Sequence, residues 1–289
     1  MGKYLVIGLL VILAFSVLWA FQYVQFSDKK FHIVFCDVGQ GDAIYLRTPE
    51  GSDILLDGGP NDSVLSCLSN HMPFWDRDIE LMILTHPHSD HLKGFLSVIP
   101  RYTVKQFYTE DLKNANAADY KKLMKLVQEN NISVHFTSTG DTFTTPDAVT
   151  LRIVTPTKAF LDLTSPQGGI GESKEFGSLS TLVSYGEFDV LLTGDSQSPQ
   201  LNEAVDTQHL GSLEVLQSPH HGSRTGLDDH LLQKIHPKYA AISTGHHNRY
   251  GHPHAQTLQL LKAHEIEILR TDQLGDVEFV SDGKEWKLK

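Results

Sequence analysis

The chain has 289 residues, 40% of them hydrophobic and 20% charged, and this composition excludes a largely disordered protein. A formal net charge of -11 argues against binding nucleic acid through bulk charge, although bound dications could offset it at a local site. Two cysteines, Cys36 and Cys67, are too few for a disulfide framework. Because Cys36 lies in an apolar strand pattern, we expect a small core residue rather than half of a bridge, and the sequence leaves the pairing open.

The N-terminus carries an apolar segment long enough to cross a bilayer. Residues 4–21 are apolar apart from one glycine and one serine, and Trp19 and Tyr23 lie where an interfacial aromatic belt is expected. We predict an uncleaved signal anchor, a transmembrane helix over residues 1–26, and a single-pass cell-membrane protein with its catalytic body outside the cytoplasm. The alternative is a cleaved signal peptide, which would leave a secreted protein.

Residues 27–289 contain no linker long enough to divide them, so we predict one domain. Short apolar runs alternate with turns in both halves of this region, with helical patterns between them. The predicted strands cover residues 31–36, 43–47, 54–57, 81–85, 132–136, 149–154, 182–185, 190–193, 213–217, 239–243, 265–270 and 276–280, and helices cover 117–129 and 255–263. This order predicts an α/β (α+β) fold in which two packed sheets are covered by helices. Residues 164–177, rich in serine and glycine, predict a loop near the site.

Residues 85–91, Thr-His-Pro-His-Ser-Asp-His, concentrate side chains that bind metals. Three imidazoles and a carboxylate occupy six consecutive positions directly after an apolar strand pattern. Neutral imidazole and carboxylate are ligands that divalent transition metals prefer. In a tight loop His86 and His88 can point to one side and Asp90 and His91 to another, which suits two metals. A polar surface loop with incidental histidines is the alternative, and it does not explain four ligands at this spacing.

Four motifs in order resemble those of the metallo-β-lactamase superfamily. They are Asp57-Gly58-Gly59, the 86–91 segment, Leu192-Thr193-Gly194-Asp195 and Pro219-His220-His221-Gly222-Ser223. Two more, at residues 37–43 and 248–253, resemble the soluble β-lactamase-like domain of ComEC, the bacterial DNA-uptake channel protein. Extracellular phosphorylcholine esterases acting on teichoic acid are a second similar group.

The resemblance implies an αββα sandwich with two divalent metal ions at one edge. It assigns His86 and His88 to the first metal and Asp90 and His91 to the second, with Asp195 as the bridge. Zn²⁺ is the expected ion and Mn²⁺ the alternative, because a His/Asp site accepts both.

The resemblance leaves three points open. His221 would complete the second metal, with His220 as its rival for that position. Asp57 would orient the metal-binding loop through its carboxylate, unless it only forms a turn before two glycines. The superfamily often supplies a further histidine to the first metal, but residues 175–181 contain none. The first metal is therefore expected to bind weakly or to take an extra water, and β-lactam hydrolysis becomes less favoured.

Two bound metals predict hydrolysis by a bridging hydroxide, because a metal lowers the pKa of bound water from about 15.7 towards 7. Asp90 and His252 are the predicted catalytic residues, with His252 as a hydrogen-bond donor or general acid. Ser223, Arg249 and His254 are predicted to bind substrate, and His254 could instead cap the following helix.

The predicted function is therefore an extracytoplasmic dinuclear-metal hydrolase of the ComEC-like kind, a phosphodiesterase and specifically a nuclease. The predicted partners are a phosphoester substrate, with DNA the first candidate, and the membrane through the anchor; no protein partner is indicated. The alternative is a cell-envelope phosphoesterase resembling phosphorylcholine or teichoic-acid esterases. Hydrolysis of β-lactams or acyl esters and a non-enzymatic metal-binding module are less favoured. The sequence does not decide the substrate, the active metal or the oligomeric state.

Overall fold

The apolar strands assemble into two sheets in a computed structural model that describes residues 2–110, 118–164 and 177–289. The strands are β1 (Phe31–Phe35), β2 (Ile44–Arg47), β3 (Asp53–Leu56), β4 (Asp78–Ile83), β5 (Thr103–Thr109), β6 (Ser133–Phe136), β7 (Thr142–Thr144), β8 (Thr150–Thr155), β9 (Ser180–Tyr185), β10 (Phe188–Leu192), β11 (Val215–Gln217), β12 (Tyr239–Ile242), β13 (Glu267–Arg270), β14 (Val277–Ser281) and β15 (Trp286–Leu288). The first sheet has the order β15-β14-β1-β2-β3-β4-β5-β6, and the second has the order β13-β12-β11-β10-β9-β8-β7.

Helices cover the outer faces of both sheets. In chain order, the helices of the described residues are α1 (Gly2–Phe26), which lies outside these layers, α2 (Val64–His71), α3 (Ser89–Leu92), α4 (Phe95–Val98), α5 (Ala118–Glu129), α6 (Lys158–Thr164), α7 (Ser198–Gln208), α8 (Pro219–Gly222), α9 (Asp229–Ile235), α10 (Ala255–Ala263) and α11 (Thr271–Leu274). Apolar residues of α2, α4 and α5 pack on the first sheet, and those of α7, α9 and α10 pack on the second. Residues 165–176 of the predicted loop near the site lie outside the described residues.

Strand β1 shows why the sequence folds into these layers. Successive side chains of a strand point to opposite faces, and buried apolar residues occur on both faces of β1. Phe31, Ile33 and Phe35 enter the core between the sheets, whereas Val34 and Cys36 enter the core under the helices. A strand buried on both sides requires a layer on each side, which confirms the predicted αββα sandwich.

The parallel strands bring the predicted motifs to one edge of the sandwich. Strands β3 and β4 are parallel neighbours in the first sheet, and β10, β11 and β12 are parallel neighbours in the second. The carboxyl ends of parallel neighbours meet at the same edge of a sheet. The residues that follow β3, β4, β10 and β11 are those of the four predicted motifs. Chain direction therefore places two motifs at one edge of the first sheet and two at one edge of the second, and the packing of the sheets brings the two edges together.

Helix α1 matches the predicted membrane segment. With its 25 residues it is long and apolar enough to cross a membrane, and none of them is buried against the described body. A helix of this length could cross the hydrocarbon core of a bilayer. A signal sequence at the N-terminus would have the same length and composition. The division into an anchor over 1–26 and a catalytic domain over 27–289 stays a prediction.

The expectation for Cys36 is wrong, because Cys36 and Cys67 form a disulfide with their Cα atoms 5.8 Å apart. The other part of the expectation is correct, because Cys36 follows β1 and is fully buried in the core. The strand pattern reports burial of one segment, but it does not report which distant helix packs against it. Helix α2 brings Cys67 over the end of β1, and that placement forms the bridge.

We expect removal of this disulfide to destabilise the body by about 2–4 kcal/mol, since the bridge restricts the unfolded chain. The test is urea unfolding of the full chain in detergent, comparing the Cys36→Ala/Cys67→Ala variant with the parent. Dithiothreitol should lower the midpoint of the parent only, because the variant has no bridge to reduce. Ser66→Ala, at an exposed position of α2, is the matched control and should leave the midpoint unchanged. A parent midpoint that resists reductant and matches the variant would contradict the prediction.

Candidate metal centre

Asp57 contacts both ends of the segment that follows β4, Thr85 at its start and His91 at its end. Its carboxylate is fully buried and accepts hydrogen bonds from the Thr85 N–H and hydroxyl at 2.9 and 2.7 Å. The third contact joins Asp57 Oδ2 to His91 Nδ1 at 2.8 Å. Burial raises the pKa of Asp57 and the charge of His91 opposes this rise, and three donors favour the ionised acceptor. Burial lowers the pKa of His91, but the charges of Asp195 and Asp57 outweigh this and raise it well above its usual range. A metal ion that displaces the Nε2 proton would find the lone pair of that atom available, because the Nδ1 hydrogen is directed at Asp57.

His86, His88 and Asp195 form the first ligand group. One ligand atom from each lies within 4.8 Å of the other two, and His86 Nε2 is 3.4 Å from Asp195 Oδ2. Burial and the neighbouring His86 lower the pKa of His88 to about 4, so its ring is neutral at neutral pH. A neutral imidazole has the lone pair that a metal requires. The structure thus brings together three residues predicted from two distant motifs.

His91 and His221 gather at the other oxygen of Asp195, and Asp90 lies beside His221. The Nε2 atoms of His91 and His221 lie 3.3 and 3.6 Å from Asp195 Oδ1. Asp90 Oδ2 lies 3.5 Å from His221 Nε2, and its side chain is 31% exposed, so this carboxylate stands at the mouth of the cluster. Asp195 faces both groups with a different oxygen toward each, which is the position that a bridging ligand requires.

His220 and His221 occupy different positions in the cluster. Both residues have left-handed backbones, with φ of 50° and 56°, a conformation that non-glycine residues rarely adopt. His220 Nε2 lies 3.5 Å from Asp195 Oδ2, the oxygen that also faces His86. His221 faces Oδ1 instead. The two histidines therefore do not compete for one position, and His220 lies on the side of the first ligand group.

Buried polar atoms without a hydrogen-bond partner concentrate in the cluster. Among the described residues, the two groups contribute four such atoms, His86 Nε2, His91 Nε2, His221 Nε2 and Asp195 Oδ1, and both carboxylate oxygens of the neighbouring Asp42 are in the same state. Unsatisfied buried polar atoms are rare in native proteins because each costs desolvation energy. Burial raises the pKa of Asp195, but the charges of His91 and His221 outweigh this and hold it well below its usual range. A buried carboxylate kept ionised among imidazoles fits a divalent cation.

Asp42 is a site residue that the sequence analysis missed. It is 1% exposed, and its Oδ1 and Oδ2 atoms lie 3.5 Å from His221 Nδ1 and 3.8 Å from His91 Nδ1. Gly41 permits this approach, because a Cβ at this position would clash with the Asp90 carbonyl oxygen. Asp42 thus faces the outer nitrogens of both second-group histidines. Its signal in the sequence was an acidic residue inside an apolar, glycine-bounded turn.

The environment of His252 favours a neutral hydrogen-bond donor. Gln40 Oε1 accepts hydrogen bonds from Thr244 Oγ1 and Gly245 N–H, both at 3.2 Å, so Gln40 Nε2 faces His252 Nδ1 at 3.4 Å. Nδ1 then accepts, and the ring hydrogen resides on Nε2. Burial and the neighbouring histidines, His221 first, lower the pKa of His252 to about 4. The ring can donate from Nε2, whereas a cationic general acid is disfavoured at neutral pH.

Two predicted substrate-binding residues, His254 and Ser223, differ in how free their polar atoms are. His252 and His254 have ring centroids 4.8 Å apart, and His252 lies 5.6 Å from His220 in the same measure. His254 stands at the N-cap position of α10 without a side-chain capping bond, and its buried Nδ1 has no partner among the described residues. Ser223 Oγ is engaged with Thr225 Oγ1 at 3.0 Å, inside a turn.

A cleft of about 270 Å³ opens beside Asp90. Its lining includes Asp90, Lys93, Arg249 and Tyr250. The Arg249 guanidinium lies 4.9 Å from the centroid of the Tyr250 ring and donates to its hydroxyl at 2.7 Å. Tyr250 is 50% exposed. The cleft combines two cations with an aromatic face next to the candidate metal centre.

Comparison with known protein families supports the resemblance. The model of the metallo-beta-lactamase superfamily matches residues 36–246, which include the cluster from Asp42 to His221. The chain belongs to the metallo-beta-lactamase superfamily. Members of this superfamily are metal-dependent hydrolases whose fold binds divalent metals, often two. The predicted family and the predicted sandwich are both confirmed.

The superfamily domain is similar to parts of larger curated proteins. It is 27% identical over 260 residues to ComE operon protein 3 of Bacillus subtilis, covering 84% of this chain and 32% of that protein. It is 26% identical over 273 residues to Recombination protein 2 of Haemophilus influenzae, covering 93% of this chain and 31% of that protein. The chain thus spans about a third of the length of these relatives.

Solved structures show the same fold at low identity. CmlA, a diiron β-hydroxylase from Streptomyces venezuelae, has a TM-score of 0.52 at 14% identity, over 83% of this chain and 52% of that one. Zn²⁺-bound PqqB from Methylobacterium extorquens has a TM-score of 0.52 at 12% identity, over 83% of this chain and 97% of that one. At such identities the likeness concerns the superfamily fold alone.

Proposed function

We propose that the chain is an extracytoplasmic, dinuclear-metal phosphodiesterase that cleaves nucleic acid. The observation that carries this proposal is the two-sided environment of Asp195, whose oxygens face two separate groups of buried ligand atoms. We assign His86, His88 and His220 to one metal and His91, His221 and Asp90 to the other, with Asp195 shared. Zn²⁺ is the expected ion and Mn²⁺ the alternative.

When bound, two divalent ions supply a nucleophile at neutral pH and neutralise charge on the oxygens of a phosphodiester. The chain's own residues hold the ligand atoms in place before any ion arrives. Asp57 directs the Nε2 lone pair of His91 toward Asp195, and the Ser243 carbonyl accepts from His221 Nδ1 at 3.0 Å to direct that ring in the same way. Asp42 adds a negative charge beside the outer nitrogens of both rings, which makes them better metal ligands.

We assign His252 to the stabilisation of charge on the substrate phosphate. Its Nε2–H is a donor whose tautomer is set by Gln40. Preorganised donors of this kind stabilise the transition state more than the ground state when they point to where charge develops. Arg249 and Lys93 supply positive charge at the mouth, where the adjacent phosphates of a nucleic acid would lie. His254 adds a further donor next to His252. Ser223 is a weaker candidate for substrate binding, because its hydroxyl is hydrogen-bonded to Thr225.

Two observations favour nucleic acid over a small envelope phosphoester. One of the curated relatives is named Recombination protein 2, and recombination acts on nucleic acid. The cleft also offers the exposed ring of Tyr250 next to Arg249, an arrangement on which an unpaired base could stack. Because the net charge of -11 disfavours wrapping of a long duplex, single-stranded nucleic acid is the expected substrate form.

We expect Tyr250→Ala to lower kcat/KM for single-stranded DNA by roughly 5- to 150-fold, since base stacking contributes about 1–3 kcal/mol per base. Hydrolysis of bis(p-nitrophenyl) phosphate should stay unchanged, because this substrate has no base to stack. Tyr250→Phe keeps the ring and is the matched control, and it should retain most activity on DNA. Equal losses on both substrates would show that Tyr250 does not act through the base.

We propose that α1 anchors the chain in the cell membrane with the catalytic body outside the cytoplasm. The length and hydropathy of α1 support the anchor, and removal of α1 as a signal sequence is the alternative. The Cys36–Cys67 disulfide supports the location of the body, because disulfides persist in oxidising compartments and are rare in the cytosol.

The experiment that tests the function uses the full chain in detergent, stripped of metal and reloaded with Zn²⁺ or Mn²⁺. It is assayed on bis(p-nitrophenyl) phosphate and on single-stranded and duplex DNA, beside His88→Ala. Metal-dependent cleavage of DNA that His88→Ala abolishes is the expected result. Turnover of the small diester with DNA untouched would move the substrate to envelope phosphoesters. If two metals bind and neither substrate is cleaved, the phosphodiesterase proposal fails.

A further inference from the structure

Two consecutive aromatic side chains on the body remain exposed next to α1. Phe74 and Trp75 follow α2 and are 37% and 41% exposed. Their ring centroids lie 5.1 Å apart in an edge-to-face arrangement. Burial of a large aromatic side chain is more favourable than burial of most other residues. An exposed pair of them therefore indicates a contact surface.

The pair lies against one face of α1. The rings of Phe74 and Phe15 have centroids 6.0 Å apart, and those of Trp75 and Trp19 lie 5.8 Å apart. Gln22 Oε1 accepts a hydrogen bond from the Phe74 backbone N–H at 3.0 Å. Positions 15, 19 and 22 lie on one helical face, because residues three and four apart are neighbours on a helix. The body therefore contacts α1 through the residues near Phe74.

These contacts set the depth of the pair relative to α1. Trp19 precedes the end of the helix at Phe26 by seven residues, a rise of about 10 Å. Tyr23 stacks on Trp19 with a centroid distance of 5.3 Å. In a membrane-spanning helix, Trp and Tyr at this distance from the end lie at the level of the lipid headgroups. Trp75, in contact with Trp19, lies at that level too.

We propose that Phe74 and Trp75 insert into the membrane interface and dock the catalytic body on the lipid surface. Together with Trp19 and Tyr23 they form one aromatic belt, built from two distant parts of the chain. This inference rests on the proposed membrane insertion of α1. Both aromatics stay more than a third exposed after packing on α1, and the interface of a bilayer is the apolar–polar boundary continuous with that helix.

The three tryptophans of the chain provide the test, since each reports one site. Trp286 lies in β15, and in the described part of the chain its ring packs against Phe188, Tyr239 and Phe279 rather than against an aromatic residue of the belt. Three full-length variants each keep one tryptophan and carry phenylalanine at the other two. Each is reconstituted into phosphatidylcholine vesicles with and without bromine on the upper acyl chain. Bromine quenches tryptophan in the bilayer, and iodide in the buffer quenches tryptophan in water.

The expected result is loss of Trp75 emission in brominated vesicles by a fraction similar to the loss for Trp19. Trp286 emission should be unchanged by bromine. Phe74→Ser in the Trp75-only chain should weaken the bromine effect and strengthen the iodide effect. Phe136→Ser, at a 58% exposed aromatic residue of β6, is the matched control and should change neither.

Other outcomes separate the inference from the anchor it rests on. If bromine quenches Trp19 while only iodide quenches Trp75, the anchor stands and the docking inference is overturned. Quenching of Trp75 by neither agent would mean that protein covers the pair, which also overturns it. If bromine fails to quench Trp19, α1 does not span the bilayer, and the proposed anchor fails together with the inference.

Discussion

Asp195→Asn is expected to abolish both metal binding and hydrolysis, the largest effect of any single substitution in this chain. Asparagine keeps the shape of the side chain but removes the negative charge that faces His86 through one oxygen and His91 through the other. Two ions stabilise transition-state charge by several kcal/mol, so we expect hydrolysis to fall by about 1000-fold or more. Metal content after dialysis should fall from about two ions per chain to less than one.

A stability measurement tests the same substitution without any assay of activity. A ligand that binds only the folded chain raises its unfolding midpoint, so added Zn²⁺ should stabilise the parent. The midpoint of Asp195→Asn should not respond to Zn²⁺. Asp206→Asn is the matched control, because Asp206 is an exposed carboxylate on α7 that pairs with His230 and Lys234. If Asp195→Asn retains both ions, the bridging assignment is wrong.

The layers of the fold and most of the cluster could be predicted from the sequence because local patterns carry them. Strand β1 alternates between two cores, so its apolar run reports a sheet covered on both faces. His86, His88 and His91 fall within six residues, and their spacing alone indicates a metal site. Asp195 was harder to predict, because a Gly-Asp pair after a strand usually forms a turn. Only the other motifs in the same order indicated its role.

Contacts between distant segments could not be predicted from such patterns. The Cys36–Cys67 disulfide depends on how α2 lies across β1. Asp42 reaches His91 and His221 because Gly41 lets its turn approach the Asp90 carbonyl closely. Neither the disulfide nor the Asp42 contacts can be read from the periodic spacing of apolar residues in the sequence. The contact of Trp75 with α1 is of the same kind, since the two segments are 56 residues apart in the sequence.

His220 shows how a local motif can leave its geometry undecided. Two adjacent histidines suggest rivals for one position, because neighbouring side chains on a regular element point in different directions. The consecutive left-handed backbones of His220 and His221 turn both rings into the cluster, one toward each oxygen of Asp195. His220 can thereby fill the place of the further histidine that residues 175–181 do not supply.

We therefore expect His220→Ala and His221→Ala each to remove one metal ion per chain, but from different positions. Each loss should lower hydrolysis by at least about 100-fold, because a two-metal site stabilises the attacking and leaving oxygens together. Metal content of double variants identifies the position. Adding His86→Ala to His220→Ala should cause no further loss, since both alter the same group. Adding His91→Ala to His220→Ala should remove both ions.

The opposite pattern would mean that His220 and His221 are alternatives for one ligand position. If His220→Ala with His91→Ala still binds one ion per chain, then His220 belongs to the second group and the first metal has only His86, His88 and Asp195. His246→Ala, at an exposed histidine, controls for loss of a surface imidazole and should keep both ions. Non-additive losses are the appropriate readout, because residues that share one ion lose it together, whereas residues on separate ions lose them independently. Under the geometry described here, Asp195 is the residue whose loss couples the two positions, because it faces both groups.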